Sequence, residues 1–544
     1  MSTSEAPDPA ATPVSAATAP HRDSAKRVTP FSGAVALSLS GGGFRAAGFH
    51  LGVLTVLHRT GLLAKTKVLS TVSGGSIVGA RLMLGLARGD AFSDIHYRLC
   101  RYLEEARPIP CALKRAAKDR LTLTQALAEE WNETLFEDSR YAVGTMREIM
   151  DARMSFEEGS FNATSVRSGK PFRFTFSRGE RARIGHQGAS LPRKVAENLR
   201  VADVVAASCA FPGGFEPLVM PNDFVWPDPD VAAAAKEALK GEAYGLVDGG
   251  VHDNQGIDPM LLAAKRLDEG LGLMIVSDAD RGLDSKEPQD PNRRRSFFRL
   301  KVWHLSWLSW MFILVALTAM GLLIKKAQLE RDIHDFRWTS DGIAFGVPGA
   351  LCGATILAVL YGRYRIKRAI RPLLPHLGKD AWRSIRKLGV VDLITALQTR
   401  VQTLKAVAGT AFPRRVRGLV YRGAWSDSEL ADRRMAIQIH TLTEERFDII
   451  DGLYPPSETL VKSAQRAAAL PTALELGSPE ELDDLQRTGQ GSAIAKIVET
   501  LELQFGLHRG AWPEELRAID AQLKADWDTL NTAERALRPG DGKE

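Results

Sequence analysis

Residues 34–46 read AVALSLSGGGFRA, and residues 67–76 read KVLSTVSGGS. Each begins as a short apolar run with the length of a buried strand and ends in a glycine or glycine-serine turn. A helical apolar pattern follows each turn: Ala47, Leu51, Leu54 and Leu57 after the first, and Ile77 to Leu86 after the second. Strand, turn, helix, repeated at once, predicts an α/β fold with a mainly parallel central sheet, because parallel neighbours need a crossover connection. Working outward, Tyr244–Val247 and Gly272–Ser277 read as further strands flanking a helix that starts near Ile257. Val416–Tyr421 and Met435–Ile439 also read as strands, and residues 457–530 as mainly helical. Residues 90–200 read as mixed and mostly helical, with few assignable elements.

The two turns carry chemistry. Gly41-Gly42-Gly43-Phe44-Arg45 lies between a strand and a helix. Glycines let the backbone approach a ligand, and a helix N-terminus aims N–H groups at negative charge, so the loop suits a phosphate or an oxyanion. The dinucleotide pattern G-x-G-x-x-A is also met. No Asp or Glu occurs between residues 24 and 89, however, so no acid ends the next strand to hold a ribose. Thr71-Val72-Ser73-Gly74-Gly75-Ser76 has the small residues a nucleophile elbow needs, with Thr71 where the usual first glycine stands. Ser76 is the weaker nucleophile candidate, since Val78 follows where a glycine belongs. Asp248-Gly249-Gly250 comes directly after a strand, at the end of the sheet where active sites of open α/β folds collect. Of the histidines after Asp248 (His252, His304, His334, His376, His440 and His508), none sits in a convincing strand-end loop. The pattern points to a serine–aspartate dyad rather than a triad.

Composition is globular, and the excess of basic residues is small: 71 Lys and Arg against 65 Asp and Glu, a net charge of +6. Such a balance does not argue for nucleic acid. The basic residues cluster beside apolar segments, which favours an anionic membrane surface. Cys100, Cys111, Cys209 and Cys352 have neither paired nor metal-like spacing, so free thiols in a reducing compartment are expected. Residues 1–30, rich in Ala, Pro, Ser and Thr, read as a disordered tail without the apolar core of a secretory signal. Asp228 and Asp230 fall in a Pro-rich loop and read as solvated, while Arg414, Arg415 and Arg417 read as a surface cluster. Cys209 reads as a small buried residue.

Two long apolar segments, Trp303–Ile324 and Ile343–Tyr361, are each long enough for a hydrocarbon core of about 30 Å. Trp303, Trp307 and Trp310 sit at one end of the first, as an interfacial aromatic belt would. Arg293, Arg294, Arg295, Arg299 and Lys301 precede the pair; Arg363, Arg365, Lys367, Arg368 and Arg371 follow it. The loop between carries four basic and four acidic residues. A two-pass membrane hairpin is expected, with the catalytic part and both termini cytoplasmic.

The order Gly-Gly-Gly-x-Arg, serine elbow, Asp-Gly-Gly resembles the patatin-like phospholipases. The stretch Ala207-Ser208-Cys209-Ala210-Phe211-Pro212-Gly213-Gly214-Phe215-Glu216-Pro217 is similar to a segment characteristic of that family. The resemblance covers residues 31–280 well and 370–490 more weakly, through Ala469-Leu470-Pro471-Thr472 and Ser478-Pro479-Glu480-Glu481. It implies a three-layer α/β/α fold and a Ser-Asp dyad without metal or cofactor. In that reading Ser73 is the nucleophile, Asp248 the general base, Gly41, Gly42 and Gly43 the oxyanion hole, and Arg45 its support. Thr71, Gly74 and Gly75 shape the elbow. The expected layout is tail 1–30, catalytic core 31–292, hairpin with basic flanks 293–370, C-terminal part of the core 371–490, and helical tail 491–544. The expected substrate is a membrane phospholipid or lysophospholipid at a bilayer; the sequence identifies no protein partner. A catalytically silent membrane scaffold and an esterase or thioesterase for soluble acyl substrates are the competing classes.

Overall fold

A computed structural model describes residues 31, 33–137, 143–178, 184–186, 188–268, 270–280, 301–333, 340–370, 412–443, 454–533 and 535–540. The expected N-terminal tail, the arginines at 293–299 and residues 371–411 lie outside the described residues. The chain divides into two compact units, one made of residues 1–284 and 413–544, the other of residues 285–412.

The larger unit is built on a ten-stranded sheet. Its parallel part consists of β1 (Ala34–Leu39), β2 (Thr66–Val72), β3 (Glu158–Ser165), β9 (Leu271–Asp278) and β10 (Arg434–Gln438), in the order β10-β9-β1-β2-β3. Beyond β3 the sheet turns antiparallel through β4 (Pro171–Ser177), β5 (Ile184–His186) and β6 (Ala189–Leu191). β7 (Leu218–Met220) and β8 (Tyr244–Asp248) form a further antiparallel pair.

Helix α1 (Gly43–Arg59) follows β1, and α2 (Gly74–Ala87) follows β2, as the two turns predict. Helices α3 (Val201–Cys209) and α4 (Ile257–Ala264) complete the site-bearing elements. One face of the sheet is covered by α1, α2, α3 and much of the C-terminal part in a single large core that includes Leu37, Phe44, Leu54 and Phe161. The other face, around Ala36, Val68, Met274 and Val276, is covered by α4 with Ile257 and Met260 and by a later helix through Val420, Tyr421 and Trp425. Helices thus lie on both faces of the sheet, the three-layer arrangement.

The smaller unit contains α5 (Val302–Ile333) and α6 (Ser340–Ile370). Ser306–Leu329 and Ile343–Arg365 are long and apolar enough to cross a membrane. Side chains such as Leu314, Val315, Leu351 and Leu357 are exposed. Arg363 donates to Ser306 O and stacks its guanidinium over the Trp310 ring, tying the end of one helix to the start of the other.

After the smaller unit, Val416–Tyr421 departs from its expected strand: it lies inside helix α7 (Phe412–Trp425). Val420 and Tyr421 fill a helical face toward the second core, and tertiary burial overrides their β preference. The expected boundary at residue 490 falls inside a continuous helix. Helices α8 (Glu458–Ala469), α9 (Pro479–Phe505) and α10 (Glu514–Thr532) follow one another, and α9 is buried from Leu482 through Val498 apart from half-buried Asp483 and Lys496. Helix α9 crosses α1 at very close range. A Cβ at Gly52 would stand 2.2 Å from Gln486 O, and one at Gly489 would stand 2.2 Å from Phe49 O.

Candidate active site

The meeting of Ser73 and Asp248 follows from sheet register. β2 runs parallel to β3 and ends with Val72 opposite Asn162. β4 occupies the other edge of β3 along residues 158–164, so β8 must pair with β3 on the edge that β2 has just left. β8 runs antiparallel there and ends with Asp248 opposite Ala163, one residue beyond Asn162. The carboxyl ends of β2 and β8 therefore meet head-on. The Ser73 hydroxyl thereby comes close enough to the Asp248 carboxylate to help hold its pKa down. The carboxylate arrives from an antiparallel strand, not from the end of a parallel strand as the sequence pattern suggested.

Ser73 turns the chain with φ 50° and ψ −120°, a conformation L residues avoid. The turn is braced from below. Ser208 Oγ accepts the Ser73 N–H at 3.0 Å and donates to Asn162 O at 2.7 Å. Ser76 Oγ lies 2.9 Å from Ser208 Oγ and 3.0 Å from Thr71 Oγ1, which also reaches Ser160 O. Asn162 Nδ2 donates to Thr71 O at 2.9 Å. Thr71 is thus accommodated in the elbow, and its methyl occupies the space left by Gly79, where a Cβ would be 2.5 Å away. Ser76, the lesser serine, belongs to the brace.

The glycine loop stands against this elbow. A Cβ on Gly74 would lie 2.1 Å from Gly43 O and 2.8 Å from Gly43 N, and one on Gly75 would lie 2.4 Å from Leu39 O. Only glycine lets the first turn of α2 approach the loop this closely. Gly42 and Gly43 have φ 146° and 61°. The three loop amides are not equivalent. Gly41 N–H is committed to Asn254 O at 2.9 Å, whereas among the described contacts Gly42 N–H and Gly43 N–H have no protein acceptor. Arg45 is buried and donates to Leu470 O at 2.9 Å, and Phe44 N–H donates to Ala473 O at 2.7 Å. The C-terminal part thus ties down the loop.

Burial sets the electrostatics. Desolvation raises the Asp248 pKa from 3.8 to about 6, against the opposing bonds from Ser73 and from Gly250 N–H at 2.7 Å. Cys209, buried beside Ser73, is pushed well above the usual thiol range by burial and by the Asp248 charge, so it remains a thiol. His50 is buried under the glycine loop, bonded to Ser277 Oγ at 2.7 Å and Ser40 O at 2.9 Å. Desolvation lowers its pKa to about 4, which keeps it neutral. His252 is half-buried and contacts Gly169 O. Asp228 caps the helix Pro229–Ala238 by accepting from Val231 N–H, which accounts for its carboxylate. Arg417 is not a surface residue: it pairs with buried Asp278 at 2.9 Å and with Asp280 at 3.1 Å.

Sequence reasoning singled out Ser73, Asp248, Gly41, Gly42, Gly43, Arg45, Thr71, Gly74 and Gly75, and all lie in this one region of the fold. It gave no role to Ser208, Asn162, Asn254 or His50. Ser208 was within reach, since it stands in the quoted Ala207–Pro217 stretch; Asn162 had no local signal.

The fold and site define an α/β protein with a serine at a strained strand-to-helix turn, a buried carboxylate beside it and a glycine loop over both. Residues 37–261 match the family model described as patatin-like phospholipase, and the chain carries a patatin-like phospholipase domain. The protein is, in general terms, a lipid acyl hydrolase. The chain is also similar to the crystal structure of VipD from Legionella pneumophila, with 11% identity over 96% of this chain and 94% of that one. The TM-score of 0.23 is too low for that likeness to carry weight. No curated protein matches the sequence.

Proposed function

We propose that the protein hydrolyses carboxylic esters of membrane phospholipids or lysophospholipids through a Ser73–Asp248 dyad and an acyl-enzyme. The register that brings Ser73 up to the buried Asp248 carboxylate, inside a patatin-like phospholipase domain, carries this reading. Ser73 Oγ attacks the ester carbonyl while Asp248 accepts its proton. The tetrahedral oxyanion forms beside Gly42 N–H, Gly43 N–H and the N-terminus of α2, whose partial positive charge favours it. Gly41 is left out of the oxyanion set because its amide is occupied by Asn254 O. Collapse expels the alcohol, which takes the proton from Asp248. Water then attacks the acyl-enzyme with Asp248 again as base, releasing fatty acid and restoring Ser73. Arg45 positions the loop through Leu470 O.

In this reading residues 293–370 form a two-pass anchor that holds the site at a bilayer, with the catalytic unit and both termini cytoplasmic. Two apolar helices of spanning length support it. The core before the anchor and the segment after it make one catalytic unit. Fatty-acid release from phospholipid vesicles by purified protein, beside Ser73→Ala and without added metal, tests the chemistry. Release that survives in Ser73→Ala would refute the nucleophile assignment. Turnover of water-soluble esters with none of phospholipid, lysophospholipid or neutral lipid would refute the substrate class. Extraction of the protein from membranes by alkaline carbonate would refute the anchor.

A further inference from the structure

The strand order places the site between two pieces of exposed surface. Ser73 stands at the end of β2, with β3 and β8 on one side and β1, β9 and β10 on the other. On the β8 side, Ala210 O accepts Asp248 N–H at 2.9 Å, so Phe211 is the first residue to leave the site. Phe211 is 53% exposed, and Pro212, Gly213, Gly214 and Pro217 are exposed with it. The turn is braced: Gly214 and Phe215 N–H both donate to Phe211 O at 3.1 Å, and Thr124 Oγ1 donates to Glu216 O at 2.6 Å. An aromatic ring is thus held in solvent beside the reacting pair, with no charged residue from Cys209 to Phe215.

On the β9 side, Arg417 fixes α7 to Asp278 and Asp280 at the carboxyl end of β9. Ser40 N–H donates to Ser277 O and Ala279 N–H to Ser40 Oγ, so this is also the edge that carries the glycine loop. Burial and the Asp278 charge raise the Asp280 carboxyl, and the charge of Arg414 is among those that oppose the rise. Helix α7 contains Arg414, Arg415, Arg417 and Arg422 and no acidic residue. Its inner face packs Val420, Tyr421 and Trp425 on the second core, while Arg415 and Leu419 point to solvent. Apolar and cationic surface therefore flank one site on one edge.

We infer that this edge is the face with which the enzyme settles on an anionic phospholipid bilayer, the Phe211 turn entering the acyl boundary and Arg415 meeting headgroup phosphates. The inference rests on the lipid acyl hydrolase reading of the site. Its occupant follows from continuity with a site that must admit lipid, and from charge complementarity with the acid-free helix.

The test uses the full chain reconstituted into vesicles of phosphatidylcholine alone or mixed with phosphatidylglycerol. Fatty-acid release from the bilayer and hydrolysis of added p-nitrophenyl butyrate are measured on the same preparation. Phe211→Asp is expected to lower bilayer release at least tenfold while butyrate hydrolysis stays within twofold. Arg415→Gln is expected to lower bilayer release about fivefold in the mixed vesicles, and not in phosphatidylcholine alone. Equal loss on both substrates would make Phe211 part of the site itself and overturn the docking face, as would unchanged bilayer release in both variants. A wild-type protein silent on both substrates would remove the hydrolase reading, and this inference with it.

Discussion

Replacing Asp248 by Asn should abolish hydrolysis and make the protein more stable at neutral pH. Asp248 is buried, and its folded pKa is raised from 3.8 to about 6. Because the folded pKa lies above the unfolded one, the ionised carboxylate opposes folding at any pH above about 6. The opposition fades as pH falls toward 3.8, where the unfolded chain also binds the proton. The gap between 3.8 and about 6 corresponds to about 3 kcal/mol at neutral pH. Asn is isosteric with the protonated acid. Its oxygen can keep the bond from Gly250 N–H, and the Ser73 hydroxyl can accept from its amide. New donors in a buried place offset part of the gain, so a net stabilisation of about 1–3 kcal/mol is expected at pH 7–8. The assay is the thermal midpoint of the full chain in detergent, Asp248→Asn beside wild type, from pH 8 down to pH 4. The midpoint of the variant should be higher by a few degrees at pH 8, and the difference should close toward pH 4. A variant no more stable than wild type at pH 8, or a difference that persists unchanged at pH 4, would refute the claim that the base is held ionised against desolvation.

The same group sets the pH dependence of catalysis: the rate on a soluble ester should rise as pH passes through about 6 and level off above it, because Asp248 must be unprotonated to accept the Ser73 proton. A flat profile from pH 5 to pH 8 would exclude Asp248 as the titrating base. Ser208→Ala removes the acceptor of the buried Ser73 N–H, with an expected destabilisation of about 1–3 kcal/mol. It should also lower kcat more than KM, whereas an unchanged kcat would show that the strained turn holds without its brace. Arg417→Met leaves buried Asp278 without its ion pair, an expected loss of about 3–5 kcal/mol. The Asp278 carboxyl lies below 3.8 in the folded protein, mainly because Arg417 opposes its desolvation. Its contribution is therefore present above pH 3.8 and lost as pH falls through the depressed value, and the variant and wild type should converge in acid denaturation.

Local sequence carried the site wherever its determinants lie a few residues apart. A serine between a strand and two glycines, and three glycines between a strand and a helix, state their turns directly, and both turns are present at Ser73 and Gly41–Gly43. Asp248 was legible as a strand-end carboxylate, but the direction of its strand was not, since antiparallel pairing with β3 is a property of register. β3 itself left no apolar signal. Glu158, Ser160, Asn162 and Thr164 are buried polar residues, and they make bonds such as that from Ser177 Oγ to Glu158, the salt bridge from Arg266 to Glu158 and that from Asn162 Nδ2 to Thr71 O. A central strand that exchanges hydrophobic burial for paired polar groups cannot be found by hydropathy alternation. Val416–Tyr421 misled in the opposite sense, because β-branched and aromatic residues suit either a strand or the buried face of a helix.

The chain's far end is part of the site, which explains why its boundaries were hard to draw. A Cβ at Gly43 would stand 2.2 Å from Ala473 O, Phe44 N–H donates to that same oxygen, and Arg45 donates to Leu470 O. The conformation of the glycine loop is therefore over-determined by contacts such as that of Arg45 with Leu470, 425 positions away. The family match ends at residue 261, and β9 alone closes the sheet beyond it before the chain leaves for the smaller unit. Returning, the chain adds α7 on the second face of the sheet and β10 on the far side of β9, then the segment Leu470–Ala473 over the loop and α9 along α1. It follows that the larger unit is discontinuous in sequence: the glycine loop acquires its shape only after the apolar helices have been made and the chain has come back.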